Sequence, residues 1–358
     1  MNETDRQTRP PWLPAPLTLD AVTPAWLSAA LSDRFPGTEV TSVRTDAINR
    51  GTSTSGRLIV EYSGASALPQ TLYIKGGFDE TMRRRVWVAL AVEARFYSEI
   101  APTLAARVPK AFFAGIDDDE RQGIVILEDL AARGATFGHA IRPLGACAMA
   151  KLLDLLAGMH AQWWESPGLA KIADGATPQR VFVKYLLRPK YWSEVLARPY
   201  GGLIPERLRD PGVVGRGLDI AWGLNDQRPQ TLIHGDSHPG NLYFDADGSP
   251  GLMDWQCAQK GNWAHDVMWL IVCGMEIEER RRNERELLRH YLGRLSGARV
   301  VAPAFDDAWL AYRQNMIYGV ACSVANPYDM QSETVTRISA ERVLAAVDDL
   351  NVTVSLGL

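Results

Sequence analysis

The sequence predicts an α+β fold of two lobes, a small β-rich N-terminal lobe and a larger, mostly helical C-terminal lobe. Three observations predict it. The chain has 358 residues, too many for one minimal core and enough for two. Its first third reads in the order β-β-β-α-β-β, and its remainder is dominated by apolar residues at the 3.6-residue helical period.

The elements follow in order. Residues 1–18, rich in Pro and charge, read as a flexible tail. A short helix is expected from Leu19 to Leu31, with Asp20 as its cap. Three strands follow at Thr41–Asn49, Arg57–Tyr62 and Thr71–Lys75, the first two separated by the loop Gly51-Thr-Ser-Thr-Ser-Gly56. A helix begins near Thr81 and runs through Ala89, Val92, Phe96 and Ile100. Strands at Lys110–Ile116 and Gly123–Leu127 flank a charged turn and complete the N-terminal lobe, residues 19–130. Beyond it, residues 131–358 carry helical patterns at Ala146–Trp164, Asn262–Met275, Glu278–Leu295, Ala308–Cys322 and Thr334–Leu350. Residues 165–215 form a Pro- and Gly-punctuated helical insert, and Thr231–Trp255 reads as strand, loop and hairpin. The apolar run Val267–Met275 is too short to span a bilayer and is expected to be a buried helix.

Composition narrows the function. A net charge of −4 supplies no field for nucleic acid or an anionic membrane. The four cysteines are scattered and form no C-x-x-C pair, which fits neither a zinc site nor a disulfide framework. The polar N-terminus lacks the apolar stretch of a signal peptide, so a cytoplasmic protein is expected.

The densest cluster of reactive residue types is His234-Gly-Asp236-Ser-His238-Pro-Gly-Asn241, followed across a turn by Asp254-Trp-Gln. Phosphoryl transfer needs a carboxylate near the attacking hydroxyl and metal ions at the phosphate oxygens; positioning and charge stabilisation do the rest. A carboxylate and an amide five residues apart can divide that work, with a second carboxylate returning across a hairpin to the metal. The order H-G-D-x-x-x-x-N, then D-W-Q, parallels the H-R-D-x-x-x-x-N, then D-F-G, of protein kinases.

The segment resembles the H-G-D-x-H-x-x-N…D motif of the aminoglycoside phosphotransferase and choline kinase superfamily. Asp254-Trp-Gln, Leu127-Glu-Asp-Leu130 and the pair Trp163-Trp164 look closest to its ecdysteroid-kinase-like branch. The resemblance implies a protein-kinase-like fold with ATP in the cleft between the lobes. It implies Asp236 as catalytic base, His234 as a brace of the loop, and Asn241 and Asp254 as Mg²⁺ ligands. It also suggests that Asp266, read first as a helix N-cap, supports the loop. Lys75 closes an apolar strand, where a lysine needs an anionic partner, and Glu93 lies on the next helix at the place of the glutamate that pairs with a kinase lysine. Gly51, Thr52 and Ser53 are expected to cover phosphates, although the loop has Gly only at its two ends. Glu128, Asp129 and Leu130 are expected to form the hinge that holds adenine.

Other readings stand beside this one. His234, Asp236 and His238 are also the residue types of a zinc metallohydrolase site, but only six histidines occur, and His139, His160 and His290 lack ligand-like neighbours. His160, on an amphipathic helix, reads as a satisfied core histidine. About a dozen residues separate Asp254 from Asp266, with no A-P-E, which leaves no room for the activation segment of a protein kinase. The acceptor is therefore expected to be a small hydroxylated molecule. Residues 165–215 contain eight Lys or Arg, only five Asp or Glu, and Phe182, Tyr185, Tyr191, Trp192 and Tyr200. That composition favours a hydrophobic, aromatic or steroid-like alcohol; the alternative is an aminoglycoside or another antibiotic.

Overall fold

The computed structural model describes residues 14–64, 66–172, 176–328 and 330–358. The expected tail lies outside them as far as residue 13. The contacts divide the chain into two compact units: residues up to Pro102 with Lys110–Ala132, and Thr103–Pro109 with Arg133–Leu358.

The first unit is built on a five-stranded antiparallel sheet in the order β1-β2-β3-β5-β4. Its strands are β1 (Val40–Arg50), β2 (Thr54–Tyr62), β3 (Thr71–Gly76), β4 (Ala111–Asp117) and β5 (Gln122–Glu128). Period-two alternation sends Leu58 and Val60 of β2, and Leu72 and Ile74 of β3, into a core with Trp26, Leu27 and Leu31 of α1 (Pro24–Ser32). Trp26 meets Phe113 edge-on at 5.6 Å. The cap of α1 is Thr23, whose hydroxyl accepts from the Trp26 N–H, with Pro24 at the first helical position. Asp20 instead sits in a separate 3-10 turn, Leu19–Ala21, because Pro24 starts a new helix with its φ already set.

Alternation sends Lys75 to the opposite face from Ile74, towards α2 (Glu80–Arg95). That helix continues into a π-turn at Phe96–Ile100, so the expected long helix is present with a change of winding at its end. It runs so close to β5 that a Cβ on Gly123 would stand 2.4 Å from the Leu90 carbonyl oxygen. Only glycine fits there.

The second unit is helical with short strands: β6 (Thr136–Phe137), α3 (Ala146–Trp163), α4 (Ala176–Leu186), α5 (Pro189–Leu196), α6 (Pro211–Asp226), β7 (Thr231–Ile233), β8 (Leu242–Phe244), β9 (Pro250–Leu252) and β10 (Gln259–Gly261). Then come α7 (Ala264–Gly274), α8 (Ile277–Gly297), α9 (Phe305–Asn315), α10 (Ile317–Gly319) with a π-turn at Val320–Val324, α11 (Glu333–Asp349) and α12 (Val352–Ser355). Every residue of α7 is buried, as its apolar run requires. The short strands β6, β8 and β9 form one sheet, and β7 pairs with β10. The sequence pattern misses β6, β10 and α12, each too short to carry a period.

The segment Thr103–Pro109 belongs with the helices for visible reasons. Gln162 accepts from the Ala105 N–H and donates to the Thr103 carbonyl, and the Arg107 carbonyl accepts from Leu252. Asp245 takes ion pairs from both Arg107 and Arg133. Among the described residues no helix is long and apolar enough to cross a membrane.

Candidate active site

The loop after β7 is held from behind by α7. Asp266, in the first turn of that helix, accepts from the His234 N–H at 2.7 Å and from the Gly235 N–H at 2.9 Å. Its own carbonyl accepts from the Ser237 hydroxyl. Asp266 is therefore not the helix cap; the Asn262 side chain takes the Ala264 N–H instead. Loop support, the other expected role of Asp266, matches the geometry. Gly235 has φ +78, and a Cβ there would lie 2.2 Å from the Cys257 carbonyl oxygen. The turn thus demands glycine both for its conformation and for its close approach.

Asp266 is fully buried and ionised. Burial, the largest single influence, would raise its pKa, but the hydrogen bond from His160 together with the electrostatic influence of His160, His265 and His234 outweighs it and holds the carboxyl below its ordinary range. The His160 Nε2–H lies 3.3 Å from Asp266 Oδ2, and its Nδ1 accepts from the Tyr291 hydroxyl at 2.8 Å. His160 is the satisfied core histidine expected of it.

His234 is also buried, and burial pushes its pKa below the ordinary 6.5. The neutral ring accepts from the Asp236 N–H at Nδ1 and donates from Nε2 to the Met253 carbonyl at 3.0 Å. It ties the Asp236 loop to the residue before Asp254. With both ring nitrogens engaged, His234 has none to offer zinc. Among the described residues no three His, Cys, Asp or Glu side chains gather into a metal-binding group.

Asp236 projects from this loop with its two oxygens in different company. Oδ1 accepts from the Trp269 indole N–H at 3.0 Å, and Oδ2 faces the Asn241 amide nitrogen at 3.3 Å. Asn241 Nδ2 also donates to the Asp236 carbonyl at 2.8 Å. Two acceptors on the nitrogen set the orientation of the amide and turn its oxygen away from Asp236. The Met253 N–H donates to the Asn241 carbonyl, and β8 pairs with β9 through Leu242 and Leu252, which brings Asp254 back to the Asn241 end of the hairpin. Asp254 has φ 63, a left-handed conformation that costs a non-glycine residue on the order of 1 kcal/mol. His238 caps the turn Pro239–Asn241 by accepting the Gly240 N–H at Nδ1; its Nε2 stands 3.6 Å from Asp236 Oδ2.

Residues absent from the sequence reading complete the loop's surroundings. His265 Nε2 and Gln179 Nε2 both donate to the Gly235 carbonyl. Tyr318 packs edge-on against His265 and Trp269. For Trp269 a signal existed, since helical spacing puts it three residues from Asp266 on the same face of α7.

In the first unit, Lys75 Nζ lies 2.9 and 2.8 Å from the two carboxylate oxygens of Glu93, and both side chains are buried. The loop between β1 and β2 is shorter than expected. Only Gly51, Thr52 and Ser53 form it, closed by the Gly51 N–H on the Ser53 carbonyl. Thr54, Ser55 and Gly56 belong to β2, opposite Gly76, Lys75 and Ile74 of β3, because pairing on both sides draws them into the sheet. At the end of β5 the Glu128 N–H donates to the Lys110 carbonyl. The Asp129 carboxylate accepts from the N–H groups of Ala131 and Ala132 and pairs with Arg57 at 2.7 Å. Those two side chains serve the turn itself, and Leu130 is buried beside them.

The aromatic residues of the 165–215 insert are mostly structural. Trp192 and Tyr200 are buried, with the Trp192 indole on the Arg209 carbonyl and the Tyr200 hydroxyl on the Val324 carbonyl; the Tyr191 hydroxyl bonds the Ala325 carbonyl. Among the five, Phe182 is half-buried and Tyr185 exposed. Residues 173–175 of the insert lie outside the described residues.

No curated protein matches the chain. Among solved structures, the GDP and kanamycin complex of APH(2")-IIia is 13% identical, covers 90% of this chain and 98% of that one, and has a TM-score of 0.50. Choline kinase LicA from Streptococcus pneumoniae is 15% identical, with coverages of 91% and 97% and a TM-score of 0.46. Macrolide 2'-phosphotransferase MphH from Brachybacterium faecium is 16% identical, with coverages of 91% and 97% and a TM-score of 0.45. At such identities the likeness is one of fold, an α+β kinase-like fold. Residues 83–304, more than half of the chain and including the whole Asp236 loop, match the profile of the APH phosphotransferases. The chain belongs to the phosphotransferase enzyme family (APH), and the protein is an enzyme of that kinase-like class.

Proposed function

We propose that the enzyme transfers the γ-phosphoryl group of ATP to a hydroxyl of a small, predominantly apolar molecule, with Asp236 as the base. The observation that carries this reading is the Asp236 carboxylate, tethered through Oδ1 and facing Asn241 with Oδ2. Asp236 Oδ2 accepts the acceptor's proton as its oxygen attacks in line. Asn241, through its amide oxygen, and Asp254 are the residues that would hold Mg²⁺. When bound, the ion offsets charge on the phosphate oxygens. Lys75, oriented by Glu93, binds the α- and β-phosphates, and the backbone at Leu130 receives adenine. Residues 19–130 form the nucleotide lobe, and 131–358 form the catalytic lobe with its acceptor segment at 165–215.

A small acceptor is supported by the stretch Trp255–Trp263, which is short and pinned by β10 on β7. An apolar acceptor is supported by the insert's excess of basic residues. Of its few carboxylates, Glu165 accepts from Gln230 and Asp210 caps α6. A polycationic antibiotic would need several unpaired carboxylates in their place. Val181 and Tyr185 on α4, with Leu203, are exposed apolar side chains of the insert open to an acceptor. The resemblance of Asp254-Trp-Gln, Leu127-Glu-Asp-Leu130 and Trp163-Trp164 to the ecdysteroid-kinase-like branch points the same way.

Two experiments test this. Asp236→Ala should lower turnover by about 10²–10⁴-fold while leaving nucleotide affinity nearly unchanged; near-normal turnover would refute the base. In a panel of alcohols, hydrophobic mono-alcohols should stimulate ATP consumption and kanamycin-like compounds should not. The opposite pattern would overturn the acceptor class and leave the phosphotransferase intact.

A further inference from the structure

We infer that Trp269 is a positioning residue for the catalytic base, an inference that rests on Asp236 being that base. A carboxylate rotates about its last torsion in a broad, shallow well, so without a tether nothing defines which oxygen meets the substrate. Here the Trp269 indole donates to Oδ1 at 3.0 Å, which fixes the carboxylate plane and leaves Oδ2 as the oxygen beside Asn241 and His238. An indole N–H is a donor only, so it orients the carboxylate without competing for the acceptor's proton. A lysine or arginine in its place would add a charge next to the base.

The indole itself has little freedom. Trp269 is 4% exposed on the wholly buried helix α7 and packs edge-on against the ring of Tyr318 at 5.2 Å. Three residues earlier on the same helix, Asp266 holds the loop backbone at His234 and Gly235. One turn of one rigid helix therefore sets both the main chain of the loop and the side chain of its base. A base displaced by about 1 Å loses on the order of 10²-fold in rate, so a tether of this kind acts on kcat.

The test combines two variants and one spectrum. Trp269→Phe keeps an aromatic ring beside Tyr318 and removes the donor together with part of the ring volume. We expect kcat to fall about 10- to 100-fold, with acceptor KM and nucleotide Kd within about twofold of wild type. In the Asp236→Ala background the same substitution should have no further effect on residual turnover. Wild-type kcat in Trp269→Phe, with Asp236→Ala still inactive, would overturn the positioning role and spare the base. An equal fall in both backgrounds would also overturn it, as general support of the lobe. Full activity of Asp236→Ala would remove the base reading itself. Should Trp269→Phe fail to fold, the indole N–H resonances of the protein's 11 tryptophans still decide the matter. One should move on Asp236→Ala, and a spectrum with none displaced would end the inference.

Discussion

The Lys75–Glu93 pair and the Asp236 loop are both buried polar constructions, yet they are built in opposite ways. The first is one ion pair between a strand and a helix, two side chains that satisfy each other. The second is a loop whose backbone and side chains are held by Asp266, His234, Trp269, His265 and Gln179, drawn from several separate elements. A pair of that kind can be replaced by another well-packed pair with little loss of stability. A network in which one carboxylate satisfies several donors cannot be replaced piecemeal.

The largest expected effect sharpens this contrast. Asp266→Ala strands the N–H groups of His234 and Gly235 and leaves His160 without its carboxylate, and should cost about 3–5 kcal/mol by denaturant unfolding. A loss under about 1 kcal/mol would mean that the loop is held mainly by its other contacts. Next comes the ion pair. Lys75→Met alone removes the ammonium that faces the buried Glu93 carboxylate and should destabilise by a similar order, about 3 kcal/mol. Lys75→Met with Glu93→Leu should recover most of that stability while nucleotide affinity, read by calorimetry, stays low. If the double variant recovers affinity as well, Lys75 has no part in nucleotide binding.

Asp254→Ala should abolish the Mg²⁺ dependence of nucleotide binding and lower the unfolding midpoint slightly, since alanine tolerates the left-handed backbone there less well than aspartate. A normal Mg²⁺ titration in that variant would give the hairpin carboxylate another role. The smallest effect is one of pH. The folded-state pKa of His234 lies below the ordinary 6.5, so below pH 6.5 the unfolded chain takes a proton that the folded chain refuses. Stability should therefore fall as pH drops from about 6.5 towards the folded value, by up to about 1.4 kcal/mol per pH unit for this one group. His234→Gln should flatten that slope in urea titrations; an unchanged slope would assign it to other residues.

Several features were legible in the sequence because their cause is local. The alternation of Leu72-Tyr-Ile-Lys75 sends the lysine away from the core, and the periodicity of the following helix delivers Glu93 to it. The five-residue interval from Asp236 to Asn241 is short enough for one loop to span. Other features were misjudged where the local signal competes with pairing. Thr54, Ser55 and Gly56 read as loop because of their residue types, but hydrogen bonds to strands on both sides make them sheet. The aromatic residues of 165–215 read as a lining, whereas Trp192 and Tyr200 fill the core under the Val324 and Arg209 carbonyls.

By itself the sequence determined the order of the elements, the reactive residue types and the family they belong to, since periodicity and motif spacing act over a few residues. Only the tertiary structure decided which oxygen of Asp236 is tethered, which nitrogens of His234 are engaged, and that His160 stands behind the loop through Asp266. Those contacts join residues 33, 19 and 106 positions apart. No local pattern encodes such separations; they arise when burial forces each polar group to find a partner wherever the packed chain supplies one.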